Sequence, residues 1–162
     1  MKSKQEWSEP AVMVKPGSKI HLKDIDPATA PALGKEEAKA IVAENAKVID
    51  ELQNRLYAER RRALLVILQG TDSSGKDGTI RAVFNTTGPI GVQVTPFKAP
   101  TPEELAHDFL WRVHKVVPLK GLIGIFNRSH YEDVLIVKVK QLAPAEEIER
   151  RYEQINRFEQ HL

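Results

Sequence analysis

The sequence predicts an α/β fold in which helices cover both faces of a parallel sheet. Three observations predict it. Short apolar runs alternate with stretches of helical period, the pattern that strand–helix–strand crossovers require. The most apolar run, Ala63-Leu-Leu-Val-Ile-Leu68, suits a strand buried on both faces, as parallel sheets demand. That run leads directly into Gly70-Thr-Asp-Ser-Ser-Gly-Lys-Asp-Gly-Thr79, a glycine-rich turn that opens a helix.

Residues 1–34 are rich in proline and show little periodicity, so they read as an extended N-terminal arm. Residues 35–162 read as one domain, incomplete at the C-terminus. Its first element is a long amphipathic helix over Lys35–Arg62, with apolar residues at Ala38, Ile41, Val42, Ala46, Val48, Ile49, Leu52 and Leu56. Arg60-Arg-Arg62 either favours the negative end of that helix or is simply solvated. After the glycine turn, Thr79–Phe84 continues as a helix until Asn85-Thr-Thr-Gly88 stops it. Gly91–Phe97 reads as a second strand. Thr101-Pro-Glu-Glu104 is a helix start with a capping threonine, a first-turn proline and a capping-box glutamate; the helix should run to about Val117. Pro118–Gly121 turns the chain into a third strand, Leu122–Phe126. Val134–Val139 fits a strand or a buried helix equally, because short apolar runs carry no decisive period. Ile148, Tyr152, Ile155, Phe158 and Leu162 mark a last helix. Three strands are fewer than the about five or six of a parallel nucleotide-binding sheet. The final helix also expects a following strand, so the expectation is a truncated chain with an exposed sheet edge that invites self-association.

Composition narrows the function classes. The chain has 162 residues, 28% of them charged and 6% aromatic, which is ordinary for a soluble globular domain. A net charge of +2 gives no argument for nucleic acid. Cysteine is absent, so thiol chemistry and disulfides are excluded. No stretch approaches the roughly 20 apolar residues of a membrane span. The expectation is a cytoplasmic protein without nucleic-acid or membrane partners.

The glycine turn carries the chemistry. Gly70 and Gly75 stand at Walker A spacing, and Lys76 would reach the terminal phosphates of a ligand. Inward-facing N–H groups and the positive end of the helix favour an anion there, with contacts expected from Gly70, Ser73, Ser74, Gly75, Lys76, Asp77, Gly78 and Thr79. Asp77 occupies the position where serine or threonine normally holds magnesium. Ligands of open parallel sheets bind beyond the C-terminal strand ends. The third strand ends there in Phe126-Asn-Arg-Ser-His-Tyr-Glu-Asp133. Arg128 could clamp a phosphate bidentately or pair with Glu132 or Asp133. Lys98 follows the second strand and would join Lys76 and Arg128 in a positive groove, unless it is an exposed loop lysine. His130 lies near the site and reads as structural rather than as a base.

The blocks G-T-D-S-S-G-K-D-G-T, F-K-A-P-T-P-E-E-L-A-H-D-F-L-W-R and I-F-N-R-S-H-Y-E-D-V-L, with L-K-D-I-D-P at Leu22–Pro27, resemble the polyphosphate kinase 2 family over roughly residues 20–162. The resemblance implies a P-loop kinase fold, a three-layer α/β/α arrangement related to thymidylate kinase. It implies magnesium-dependent phosphoryl transfer, with manganese as the substitute ion, between inorganic polyphosphate and AMP, ADP or ATP. It also implies a homo-oligomer, dimer or tetramer, and arginine-bearing lid helices beyond Leu162. Matched residue by residue, Asp72, Lys76 and Arg128 become the catalytic set. Asp72 and Asn127 become the metal-binding pair, with asparagine where many relatives carry aspartate. Two alternatives stay open: a nucleoside monophosphate kinase using ATP alone, and a polyphosphate-binding module without turnover.

Overall fold

The computed structural model describes residues 14–26 and 34–162. Most of the expected arm lies outside the described residues; its 14–26 segment is largely solvent-exposed, with one three-residue 3-10 turn at Leu22–Asp24. The described residues fall into two units that divide between Ile41 and Val42.

Helix α1 runs Lys35–Glu59 and ends earlier than expected. Arg60 turns into the left-handed region (φ 50°) and closes it, so the arginine triplet lies outside the helix. Arg62 folds back to pair with Glu59 at 3.0 Å. Strand β1 is Leu64–Leu68, helix α2 Lys76–Phe84, strand β2 Val92–Pro96 and strand β3 Ile123–Asn127. The three strands are parallel in the order β1-β3-β2, with Ile67 and Thr95 both opposite Phe126. Strand β3 is therefore central. Its Ile123, Gly124, Ile125 and Phe126 are all buried.

Strand β1 departs from the expectation of burial on both faces. Leu64 is half exposed and the rest of the strand is only partly covered, because among the described residues β1 pairs on one side alone. Composition marks a strand as apolar; its rank within the sheet decides how much of it is covered.

Capping proceeds as expected at Thr101. Its hydroxyl accepts from the Glu104 N–H at 3.2 Å, and Glu104 Oε2 accepts from the Thr101 N–H at 2.8 Å. The single helix expected from there to Val117 is instead two short ones, α3 (Pro102–Leu105) and α4 (Trp111–His114). Asp108 Oδ1 accepts from the Leu110 N–H at 3.0 Å. Such a local side-chain bond offers the backbone an alternative to the helical ladder and breaks it. Val134–Val139, left open by the sequence, belongs to helix α5 (Glu132–Val139), and Ala145–His161 form α6.

Phe97, Val113, Phe126 and Phe158 build one core cluster, with Leu65 and Ile67 of β1 packed against it. Val134, Ile148 and Ile155 join α5 to α6 in a second. Leu64 and Ile123, on the opposite sheet face, share a hollow with Ile49, Leu52 and Leu56 of α1. Helices thus cover both faces of a parallel sheet, the mixed α/β architecture the sequence predicts.

Candidate active site

Strands β1, β2 and β3 all point their C-terminal ends at one place. Polar residues stand at or just beyond these ends: Gln69 after β1, Lys98 after β2, and Asn127 and Arg128 at β3. The loop after β1 curls through two left-handed residues, Ser73 (φ 62°) and Gly75 (φ 91°), and Gly75 caps α2. Glycine is the residue that adopts this conformation without a Cβ penalty. Gly70 serves packing instead: a Cβ there would meet Ser74 Oγ at 2.7 Å. The curl closes around Lys76, whose Nζ donates to Gly70 O at 2.9 Å, Thr71 O at 2.7 Å and Ser74 Oγ at 3.3 Å.

A cavity of about 420 Å³ opens over this loop, lined by Asp72 through Gly78, by Pro96, Phe97 and Lys98 after β2, and by Asn127 and Arg128 after β3. Of the residues named from sequence, it collects Asp72, Ser73, Ser74, Gly75, Lys76, Asp77, Gly78, Lys98, Asn127 and Arg128. Gly70 and Thr79 stay outside its lining. Gly70 supplies a carbonyl to Lys76, and the Thr79 hydroxyl donates to Gly75 O at 3.1 Å. Asn127 Nδ2 donates to Asp77 Oδ1 at 2.6 Å, joining the two strand-end walls.

Arg128 holds the left-handed conformation (φ 61°), a strain that non-glycine residues keep only where the surroundings impose it. Its backbone N–H donates to Leu68 O at 2.9 Å. One end of its guanidinium hydrogen-bonds Asp72, and Nη1 stands 3.7 Å from Glu132 Oε1. Arg128 therefore lines the cavity and is at the same time paired, with Glu132 as the sequence allowed and with Asp72 besides. Asp133 goes elsewhere. It lies between Arg112 and Arg151, both at 3.7 Å. Burial pushes its carboxyl up, and the two arginines pull it back.

Behind the turn, Ser129 and His130 are fully buried. Glu159 Oε1 of α6 accepts from Tyr131 Oη at 2.5 Å and lies 3.2 Å from His130 Nε2. Burial lowers the His130 pKa, partly offset by Glu159, and raises the Tyr131 phenol to about 12, with Glu159 adding to the effect. A buried imidazole tied to a carboxylate matches the structural role expected for His130.

Sequence reasoning missed Arg112 and Gln69. Arg112 is buried, donates to Lys98 O at 3.0 Å and stands over the Phe97 ring, so it braces the β2 end from behind. The sequence placed it only inside the helix expected from Thr101 to Val117; an arginine gives no sequence signal of burial. A larger hollow of about 980 Å³ between α3, α4 and α6 shares no residue with the loop cavity. Its arginines already have partners: Arg150 with Glu146, Arg151 with Glu147 and Arg157 with Glu153.

Known proteins resemble this chain in sequence and in fold. A family model described as Polyphosphate kinase 2 matches residues 32–162. An AMP/ADP-polyphosphate phosphotransferase of Meiothermus ruber is 48% identical over 151 residues, covering 92% of this chain and 57% of that protein. An ADP-polyphosphate phosphotransferase of Rhodopseudomonas palustris is 41% identical over 79% of this chain and 48% of its own length. A crystal structure of polyphosphate kinase 2 from Arthrobacter aurescens superposes with a TM-score of 0.88 at 44% identity, over 96% of this chain and 57% of that one. The chain thus spans about half the length of these relatives.

Proposed function

The chain belongs to the polyphosphate kinase 2 family, and from that membership we propose that its loop cavity serves phosphoryl transfer between inorganic polyphosphate and AMP or ADP, in either direction. The observation that carries this reading is the convergence of Lys76, Lys98 and Arg128 on one cavity at the strand ends. Three cations over a helix N-terminus suit a chain of phosphates better than a single carboxylate.

Phosphoryl transfer asks little covalent chemistry of a protein; it asks for alignment and charge stabilisation. Lys76 would leave its carbonyl partners for the terminal phosphates. Arg128 would clamp the moving group with its planar fork. Lys98 would hold phosphates on the β2 side. The nucleotide's terminal phosphate is already anionic near neutral pH, so no strong base is required.

The donor set fits a hard divalent cation. Asp72, Asp77 and Asn127 offer oxygen only, whereas among the described residues no group of three or more histidine or acidic residues could hold a metal alone. That suits magnesium, which keeps waters and shares phosphate oxygens. Asp72 and Asn127 would hold it, with Asp77 fixing the Asn127 amide. When bound it would neutralise charge between neighbouring phosphates.

The test is transfer from polyphosphate to AMP and to ADP with magnesium, for the unaltered chain and for Lys76→Ala. Turnover that disappears in the variant supports the reading. Turnover with ATP but none with polyphosphate would replace it by an ATP-dependent nucleoside monophosphate kinase. Polyphosphate binding without turnover in the folded chain would reduce it to a binding module.

A further inference from the structure

We propose that Glu132 is a positioning residue for Arg128 and that Gln69 holds it in that role; the inference rests on the phosphoryl-transfer reading of the cavity. Gln69 is the last residue before the glycine turn, and its amide is engaged at both ends. The Tyr131 N–H donates to Ser129 Oγ at 3.1 Å, and that hydroxyl donates to Gln69 Oε1 at 3.3 Å. Gln69 Nε2 then donates to Glu132 Oε1 at 2.7 Å. The same carboxylate oxygen faces Arg128 Nη1 at 3.7 Å. Ser129 is fully buried and the Glu132 side chain is 17% exposed. A buried hydroxyl thereby fixes which way the amide points, and the amide fixes the carboxylate.

The two carboxylates on Arg128 differ in kind. The Asp72 side chain is 88% exposed and sits on the loop, where an arriving phosphate would compete for the guanidinium. Glu132 lies behind the guanidinium and is tethered. Its charge works against a polyanion, so its contribution must be geometric: it keeps one edge of the fork fixed while the other edge exchanges partners. Because Gln69 borders Gly70, the same chain of bonds also ties the base of the glycine loop to the arginine turn.

Charge and geometry predict opposite kinetics. Removing a carboxylate beside the phosphate site should leave the KM for polyphosphate unchanged or lower it. Loosening Arg128 should lower kcat, since a misplacement of about 1 Å can cost on the order of 100-fold. Glu132→Ala is therefore expected to lose about 10- to 100-fold in kcat with no rise in KM, and Gln69→Leu to lose less in the same pattern. In an Arg128→Ala background, adding Glu132→Ala should change turnover by less than about two-fold, because coupled residues are non-additive. Far-UV circular dichroism checks folding. Should Glu132→Ala be unfolded, Glu132→Leu, which fills the position but offers neither Gln69 nor Arg128 an acceptor, must show the same kcat loss. Full turnover in the folded variants, a raised KM at unchanged kcat, or losses that multiply with Arg128→Ala would each overturn the proposal while leaving the phosphoryl-transfer reading intact. An inactive unaltered chain would sink both.

Discussion

Strand β1 ends in a loop shaped by its own backbone and open to solvent, whereas β3 ends in a turn gripped from behind by buried side chains. On the first wall, Ser73 and Gly75 bend the chain, Lys76 bonds to loop carbonyls, and the Asp72 side chain is 88% exposed. On the second, Phe126, Ser129 and His130 flank the Asn127–Arg128 pair with no exposed surface at all. On the proposed reading, the lysine wall would exchange its internal hydrogen bonds for phosphate oxygens at little structural cost. The arginine wall is preorganised, with the geometry fixed before any ligand arrives. One cavity thus joins an adaptable half to a rigid half.

Substitutions should separate the two halves. The largest stability loss belongs to the rigid one: Phe126→Ala should cost about 3–5 kcal/mol, whereas Leu64→Ala in half-exposed β1 should cost under about 1 kcal/mol. Urea denaturation of both variants measures the gap, and equal losses would erase the distinction. Lys76→Ala should do the reverse. Removal of one charge-stabilising donor typically costs about 10²–10³-fold in turnover, and the melting temperature should hardly move, since the bonds lost lie at the solvent-facing loop. Gly75→Ala is intermediate. It forces a Cβ into the left-handed region at about 1–2 kcal/mol and should weaken polyphosphate binding more than it alters the Arg128 turn.

The smallest effect is a pH dependence confined to the rigid wall. Burial holds the folded His130 pKa below its ordinary 6.5, so the unfolded chain takes up a proton first on acidification. The contribution to stability is complete above pH 6.5 and declines as pH falls through that value towards the lower folded pKa. Urea midpoints should therefore drop in mild acid, and His130→Gln should flatten that limb. An unchanged acid limb in the variant would mean that another group sets it.

The adaptable half was the legible half. Glycines at fixed spacing, one lysine and a preceding apolar run announce a loop whose shape is local; the structure gathers Asp72 through Gly78 in one lining and leaves Gly70 and Thr79 of the same expected set outside it. Strand positions β2 and β3 and the Thr101 cap were readable for the same reason. What failed was non-local. The burial of β1 depends on which strands flank it, and the division into α3 and α4 depends on one Asp108 side chain bonding two residues on. The choice of helix for Val134–Val139 depends on packing against α6. Arg112 and Gln69 are invisible as sequence because their importance lies in what they touch across gaps of 14 and 63 residues.

The left-handed backbone of Arg128 separates what is good for the fold from what is good for the site. A side chain in that conformation gives up about 1–2 kcal/mol relative to glycine, and asparagine tolerates it better than arginine does. A screen of this chain for heat resistance alone would therefore drift towards glycine or asparagine at position 128 and enrich proteins that are sturdier and, on the proposed reading, inert.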